Sequence, residues 1–206
     1  MGIHILVTDL MKQTKSPDKI ERVKYIFDLH YFPFSAHEIT HAFDQDGMMF
    51  NSDGFFEYLD NKEAQKNNTK CIIQKYKSFI EEKLGITNPT LTNKTLDEII
   101  SDQGGLQIAE ITFEKWLKNN NLNNQKLTGF EDYNPFQLFY ISQILPWCSL
   151  EFNNTDYLKK QTETHGHHPI HEFRVRGPLS NSLKFAETWN CSVKSSMNPH
   201  EKCQIW

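Results

Sequence analysis

A chain of 206 residues, 38% hydrophobic and 13% aromatic, carries enough apolar side chain to bury one core. Its formal charge of -4 is scattered along the chain, which excludes the concentrated basic footprint of a nucleic-acid binder. No stretch approaches the roughly 18 apolar residues of a membrane span, and the apolar run in the opening MGIHILVTDLMKQTK is too short for a secretory signal.

In chain order, Ser16-Pro17 opens a helix whose Ile20, Val23 and Phe27 form an apolar stripe suited to packing. The segment His37-Glu38-Ile39-Thr40-His41, followed by Ala42-Phe43-Asp44, comes next. On a helix, His37 and His41 share a face and converge on one cation, while Glu38, one residue round, reaches a metal-bound water. Asp44 is spaced to accept the ring N–H that His41 does not give to the metal. With Pro33 just ahead and Ser35 as N-cap, His37 is expected in the first turn of a short helix. Asn51-Ser-Asp-Gly54 reads as a turn. Residues 69–84 place Ile72, Tyr76, Phe79 and Ile80 on one face before Gly85 ends the helix.

A tetrahedral catalytic zinc takes three protein ligands and keeps one position for water, so a third ligand is required elsewhere. Glu98 in Thr95-Leu-Asp-Glu-Ile-Ile-Ser-Asp supplies one, and Asp102, one turn on, is placed to support a histidine ligand. The plainer alternative makes Thr95 and Glu98 a capping box. After Gly104-Gly105 a second helical pattern presents Leu106, Ala109, Phe113, Trp116 and Leu117 to a core. Asn134-Pro135 starts a helix reaching Trp147 through Phe136, Phe139, Tyr140 and Ile144, with 173–175 as the one strand pattern. The aromatics read as core. The chain is mainly α with little β.

The motifs HEITHAFDQDG, EIISDQGGLQIA, EFRVRGPLSNS and MNPHEKCQIW, in that order, resemble the neprilysin and endothelin-converting enzyme family of zinc metallopeptidases, from about Phe32 to Trp206. The resemblance implies a thermolysin-like zincin lobe with a HExxH helix and a separate Glu-bearing helix. It implies one Zn2+ per chain, held by His37, His41 and Glu98. Glu38 would be the general base, with Asp44 and Asp102 supporting the histidines and Asp102 counted with Glu38 and His168 in the catalytic group. The family's transition-state histidine lies six residues before the arginine of its F-R-V motif. Arg174 matches that arginine and would hold a substrate carbonyl. Counting back gives His168, although His165-Gly-His-His-Pro departs from the family's H-x-P pattern and a one-residue shift would make His167 the match. The His-rich tract also reads as a surface loop or an adventitious metal binder.

Domain boundaries follow from the same resemblance: 1–31 is a divergent, helical N-terminal segment and 32–206 a neprilysin-like C-terminal peptidase domain. The family's glycine-rich lead-in to HExxH, and its substrate-binding Asn-Ala pair upstream, have no counterpart before His37. The family's N-terminal lobe would be missing or supplied separately. The expected activity is metalloendopeptidase hydrolysis of small peptides, the alternative a truncated, inactive zinc-binding remnant.

Four cysteines allow three pairings by arithmetic alone. By resemblance, Cys71 and Cys203 form a bridge within the catalytic lobe, and Cys148 and Cys191 match cysteines whose partners lie in the N-terminal region. Such a bridge requires an oxidising compartment. An extracellular or cell-surface location follows by resemblance, although no signal peptide or transmembrane helix is legible in this chain.

Overall fold

A computed structural model of the chain describes residues 33–57, 62–87, 89–124, 126–148, 154–164 and 168–205. The helix expected at Ser16-Pro17 lies outside them.

Residues 33–40 form helix α1, which tightens into a 3-10 turn at His41–Phe43. Ser35 is therefore inside the helix and not its cap, and His37 follows a full helical turn. Proline is tolerated in a first turn, where its missing N–H has no partner to lose, so Pro33 does not delay the start. The long helix α2, Lys62–Leu84, buries Ile72, Tyr76, Phe79 and Ile80 as the spacing predicts. Gly85, at φ +64, ends it, its N–H donating to the Glu81 carbonyl at 2.9 Å.

Helix α3, Asn93–Asn119, is capped by Thr92, whose hydroxyl accepts from the Thr95 N–H at 3.1 Å. The alternative capping box of Thr95 and Glu98 does not form, because the helix begins before Thr95 and leaves Glu98 in the second turn. Nor does Gly104-Gly105 divide the helix. A Cβ on Gly105 would lie 2.7 Å from the His37 nitrogen, so this glycine serves the close approach of α1 to α3.

Helix α4, Pro135–Ile144, opens on a capping box in which Asn134 and Gln137 each accept the other's backbone N–H at 2.9 Å. It continues into a 3-10 turn at Leu145–Trp147. Helix α5 is Thr155–Thr164, α6 is His171–Asn181, and α7 is Leu183–Thr188, capped by Ser182. The strand expected at 173–175 lies inside α6: Phe173, Gly177, Ser180 and Asn181 are buried at helical spacing, which overrides a three-residue β pattern. Among the described residues the only β pairing is two isolated bridges.

The buried apolar residues form two clusters. One gathers Ile72, Tyr76, Phe79 and Ile80 of α2, Leu96, Ile99 and Ile100 of α3, Phe173, and the C-terminal Cys203 and Ile205. The other joins Ala36 of α1 to Leu106, Ala109, Phe113 and Leu117 of α3, Leu138, Phe139 and Tyr140 of α4, and Phe185. Trp116, expected in this core, is 41% exposed and stacks on Phe113 from outside, since Phe113 and Leu117 already occupy the buried stripe. Helix α3 thus runs through both clusters, and α1 crosses it between them. The Cys71–Cys203 disulfide pins the C-terminal segment to α2 across a separation of 132 residues. Cys148 and Cys191 are free thiols.

Candidate metal centre

Where α1 crosses α3, three side chains meet. The Nε2 atoms of His37 and His41 are 3.2 Å apart, His37 Nε2 lies 3.3 Å from Glu98 Oε2, and His41 Nε2 lies 3.8 Å from Glu98 Oε1. Ligands about 2.0 to 2.1 Å from a tetrahedral zinc stand about 3.4 Å from one another, so these separations fit such an ion. These are the one group of three potential ligands that converge among the described residues.

Each imidazole is held from behind by a carboxylate. Asp44, buried, has Oδ2 at 2.7 Å from His41 Nδ1, and its Oδ1 accepts the Gly47 N–H at 2.7 Å. The turn at Gly47–Met49 fixes that carboxylate, and a Cβ on Gly47 would collide with the His41 carbonyl. His37 Nδ1 is 2.9 Å from Asp102 Oδ1, an ion-pair contact. A carboxylate beside Nδ1 keeps the ring proton there and turns the Nε2 lone pair toward the convergence point. Two such lone pairs and a carboxylate facing one small space repel unless a proton or a cation lies among them. His37 shows the same demand: burial alone lowers its pKa, but the Asp102 and Glu98 carboxylates overcome that and push it up to about 9. For Glu98, burial raises the carboxyl pKa, and His37, His168 and Arg174 together hold it below its ordinary value.

Arg174 reaches from α6 to lock the acid pair. Its Nε and Nη2 grip the two oxygens of Asp102 at 2.8 and 2.7 Å, and Nη2 is 3.5 Å from Glu98 Oε2. The Trp147 ring lies 4.3 Å from the guanidinium carbon. Beside Arg174 a small recess is lined by Leu106, Ile144, Trp147, Val175 and Leu179. His168 Nε2 is 3.2 Å from Glu98 Oε1, with its side chain 56% exposed. His167 lies outside the described residues. Glu38 is exposed on α1, and its side chain makes no hydrogen bond or ion pair with another described residue.

The sequence profile of peptidase family M13 matches residues 33–205. The chain belongs to this family. It is 35% identical over 174 residues to Neprilysin-2 of Drosophila melanogaster, with 83% of this chain and 22% of that protein aligned. Endothelin-converting enzyme 1 of Mus musculus gives the same identity and coverage, and human Neprilysin is 34% identical over 174 residues. The chain therefore spans about a fifth of these relatives, 22% of each. In fold it resembles the Haemonchus galactose-containing glycoprotein complex, at TM-score 0.72 and 24% identity, over 90% of this chain and 30% of that one. It also resembles the Mycobacterium tuberculosis zinc metalloprotease Zmp1 solved with an inhibitor, at TM-score 0.68 and 20% identity, over 87% of this chain and 28% of that one. The mainly helical zincin lobe expected from the sequence is the fold observed.

Three residues at the centre escaped the sequence reading. Ser101 Oγ lies 3.0 Å from His41 Nδ1. Asp97, 6% exposed, accepts the Gln45 N–H at 3.1 Å; burial and then the nearby Asp44 raise its pKa to about 6. Trp147, whose ring reads as core in the sequence, covers Arg174. A helix buried on every side has no apolar period to set Asp97 and Ser101 apart from surface residues.

Proposed function

We propose that this chain is the catalytic lobe of a zinc-dependent metalloendopeptidase acting on small peptides, with residues 32–206 as the peptidase domain. The observation that carries the reading is the convergence of His37, His41 and Glu98 at separations of 3.2 to 3.8 Å, with carboxylates behind both rings. Membership of family M13 supports it. These three side chains would hold one Zn2+. A zinc ion there would supply Lewis-acid polarisation of the scissile carbonyl and acidify a water.

The remaining work falls to protein groups. Glu38, exposed one residue beyond His37, takes the proton of the attacking water and hands it to the leaving amine. Asp44 and Asp102 hold the ring tautomers that present both Nε2 atoms. His168, at the rim of the site, donates to the oxyanion as it forms; removing such a donor costs about 100-fold to 1000-fold in rate. Arg174 keeps Asp102 in place with Nε and Nη2 and offers Nη1, which has no hydrogen-bond partner among the described residues, to a substrate carbonyl. A disulfide in the fold supports an extracellular or cell-surface location. Among the described residues, no helix is long and apolar enough to cross a membrane.

Zinc stoichiometry on the folded chain, paired with cleavage of a quenched peptide library, tests this. One zinc per chain and cleavage lost in Glu38→Gln is the expected result. One zinc without cleavage would favour a metal-binding remnant, and no zinc would overturn both readings.

A further inference from the structure

Carboxylates account for the orientation of both imidazoles, yet one buried hydroxyl at the centre remains unexplained. Ser101 is 0% exposed in the interior of α3, and its single hydrogen-bond partner among the described residues is His41 Nδ1, at 3.0 Å. A buried helical hydroxyl ordinarily returns its proton to a backbone carbonyl one turn back. Thr40, Ser142 and Ser180 all do so, bonding to the carbonyls of Ala36, Phe139 and Gly177 at 2.7, 2.7 and 3.0 Å. Alone of these four, Ser101 makes no hydrogen bond to a backbone carbonyl among the described residues, and its oxygen faces a side-chain nitrogen 60 residues away.

We infer that Ser101 is a positioning residue for His41, tying one metal ligand to the helix that carries another. The inference rests on reading His37, His41 and Glu98 as a zinc site. Asp44 already fixes the tautomer, because a carboxylate can only accept and so places the proton on Nδ1. The Ser101 oxygen then accepts a share of that proton from a second direction. Asp44 belongs to the turn that follows α1, whereas Ser101 belongs to α3. Glu98, Ser101 and Asp102 are spaced three and four residues apart and so share one helical face. That face presents a ligand, a contact for His41 and a contact for His37. The hydroxyl sets where His41 stands relative to Glu98, which no residue of α1 can do.

The test compares the full chain with its Ser101→Ala and Ser101→Thr variants. Zinc affinity is read by competition with a fluorescent chelator, and ligand geometry by the visible spectrum of the Co2+-loaded protein. Loss of a residue that orients a metal ligand costs about 10-fold to 100-fold in affinity, and Ser101→Ala is expected near the lower figure, with altered cobalt bands. Ser101→Thr, which keeps the hydroxyl, is expected within about threefold of the parent. The melting temperature of the metal-free Ser101→Ala protein should equal the parent's, which separates ligand positioning from general packing. An alanine variant with parental affinity and an unchanged cobalt spectrum would overturn the inference while leaving the zinc reading intact. A parent chain that takes up no zinc would overturn the zinc reading and the inference together.

Discussion

The two halves of α3 are built on different terms. From Thr95 to Gly105 every residue but Glu98 is buried, polar and apolar alike, while from Leu106 onward only Leu106, Ala109, Phe113 and Leu117 are buried. The second half shows the one-sided stripe of a helix lying on a core. The first half is enclosed by α1, α2 and α6, and four of its polar side chains find a partner on another element: Asp97 with Gln45, Ser101 with His41, Asp102 with Arg174, and Gln103 with Asn181. One half is held by area, which tolerates small displacements, and the other by directional contacts, which do not. The same continuous helix can therefore carry a rigid reactive centre at one end and ordinary packing at the other.

Substitutions should separate the two. The largest effect on stability is expected in the packed half, where Phe139→Ala empties a fully buried site among Phe113, Phe136 and Tyr140. It should cost about 3 to 5 kcal/mol in chemical denaturation, with zinc affinity unchanged in the protein that remains folded. Gly105→Ala adds only a methyl, but at 2.7 Å from the His37 nitrogen. It is expected to cost about 1 to 3 kcal/mol and also to weaken zinc binding, since the displaced backbone carries a ligand. If zinc binding were untouched, the distinction between the halves would fail at its sharpest point.

The smallest effect concerns Glu110, the polar intruder in the packed half. Its Oε1 accepts from Tyr140 at 2.7 Å and Ser182 at 2.5 Å, and burial raises its carboxyl pKa despite both bonds. A carboxyl with a raised folded pKa favours the folded state when protonated. Stability should fall as the pH rises from about 4.3, the unfolded value, through the folded pKa, and be level above it. Asp97, raised to about 6, adds a slope of the same sign over this range, so Glu110→Gln should reduce the slope without abolishing it, as read by denaturation across the acid range. An unchanged slope in the variant would assign all of it to other groups.

What the sequence made legible follows the same division. The α2 stripe, the helix from Asn134-Pro135 and most of the second half of α3 are plain because a one-sided face leaves a period. The ligands His37, His41 and Glu98 were legible because their chemistry demands those residue types at helical spacing. Ser101 and Asp97 were not, since enclosure erases the period and neither residue type announces burial. Gly104-Gly105 misled for a related reason. Glycine weakens a helix in isolation, and only the neighbouring α1 backbone shows why one is needed. At 173–175 a short apolar alternation was outweighed by buried Phe173 and Gly177, where a Cβ on Gly177 would collide with the Tyr76 hydroxyl.

The Cys71–Cys203 bridge has a practical corollary in how the protein breaks. Residues 71–203, from the middle of α2 to just short of the chain's end, lie inside one covalent ring, with the metal ligand Glu98, Arg174 and His168 all within it. A single proteolytic nick in any loop of that ring opens it without releasing a fragment. Nicked molecules should migrate as one species on a denaturing gel until thiol is added, and only then fall into two.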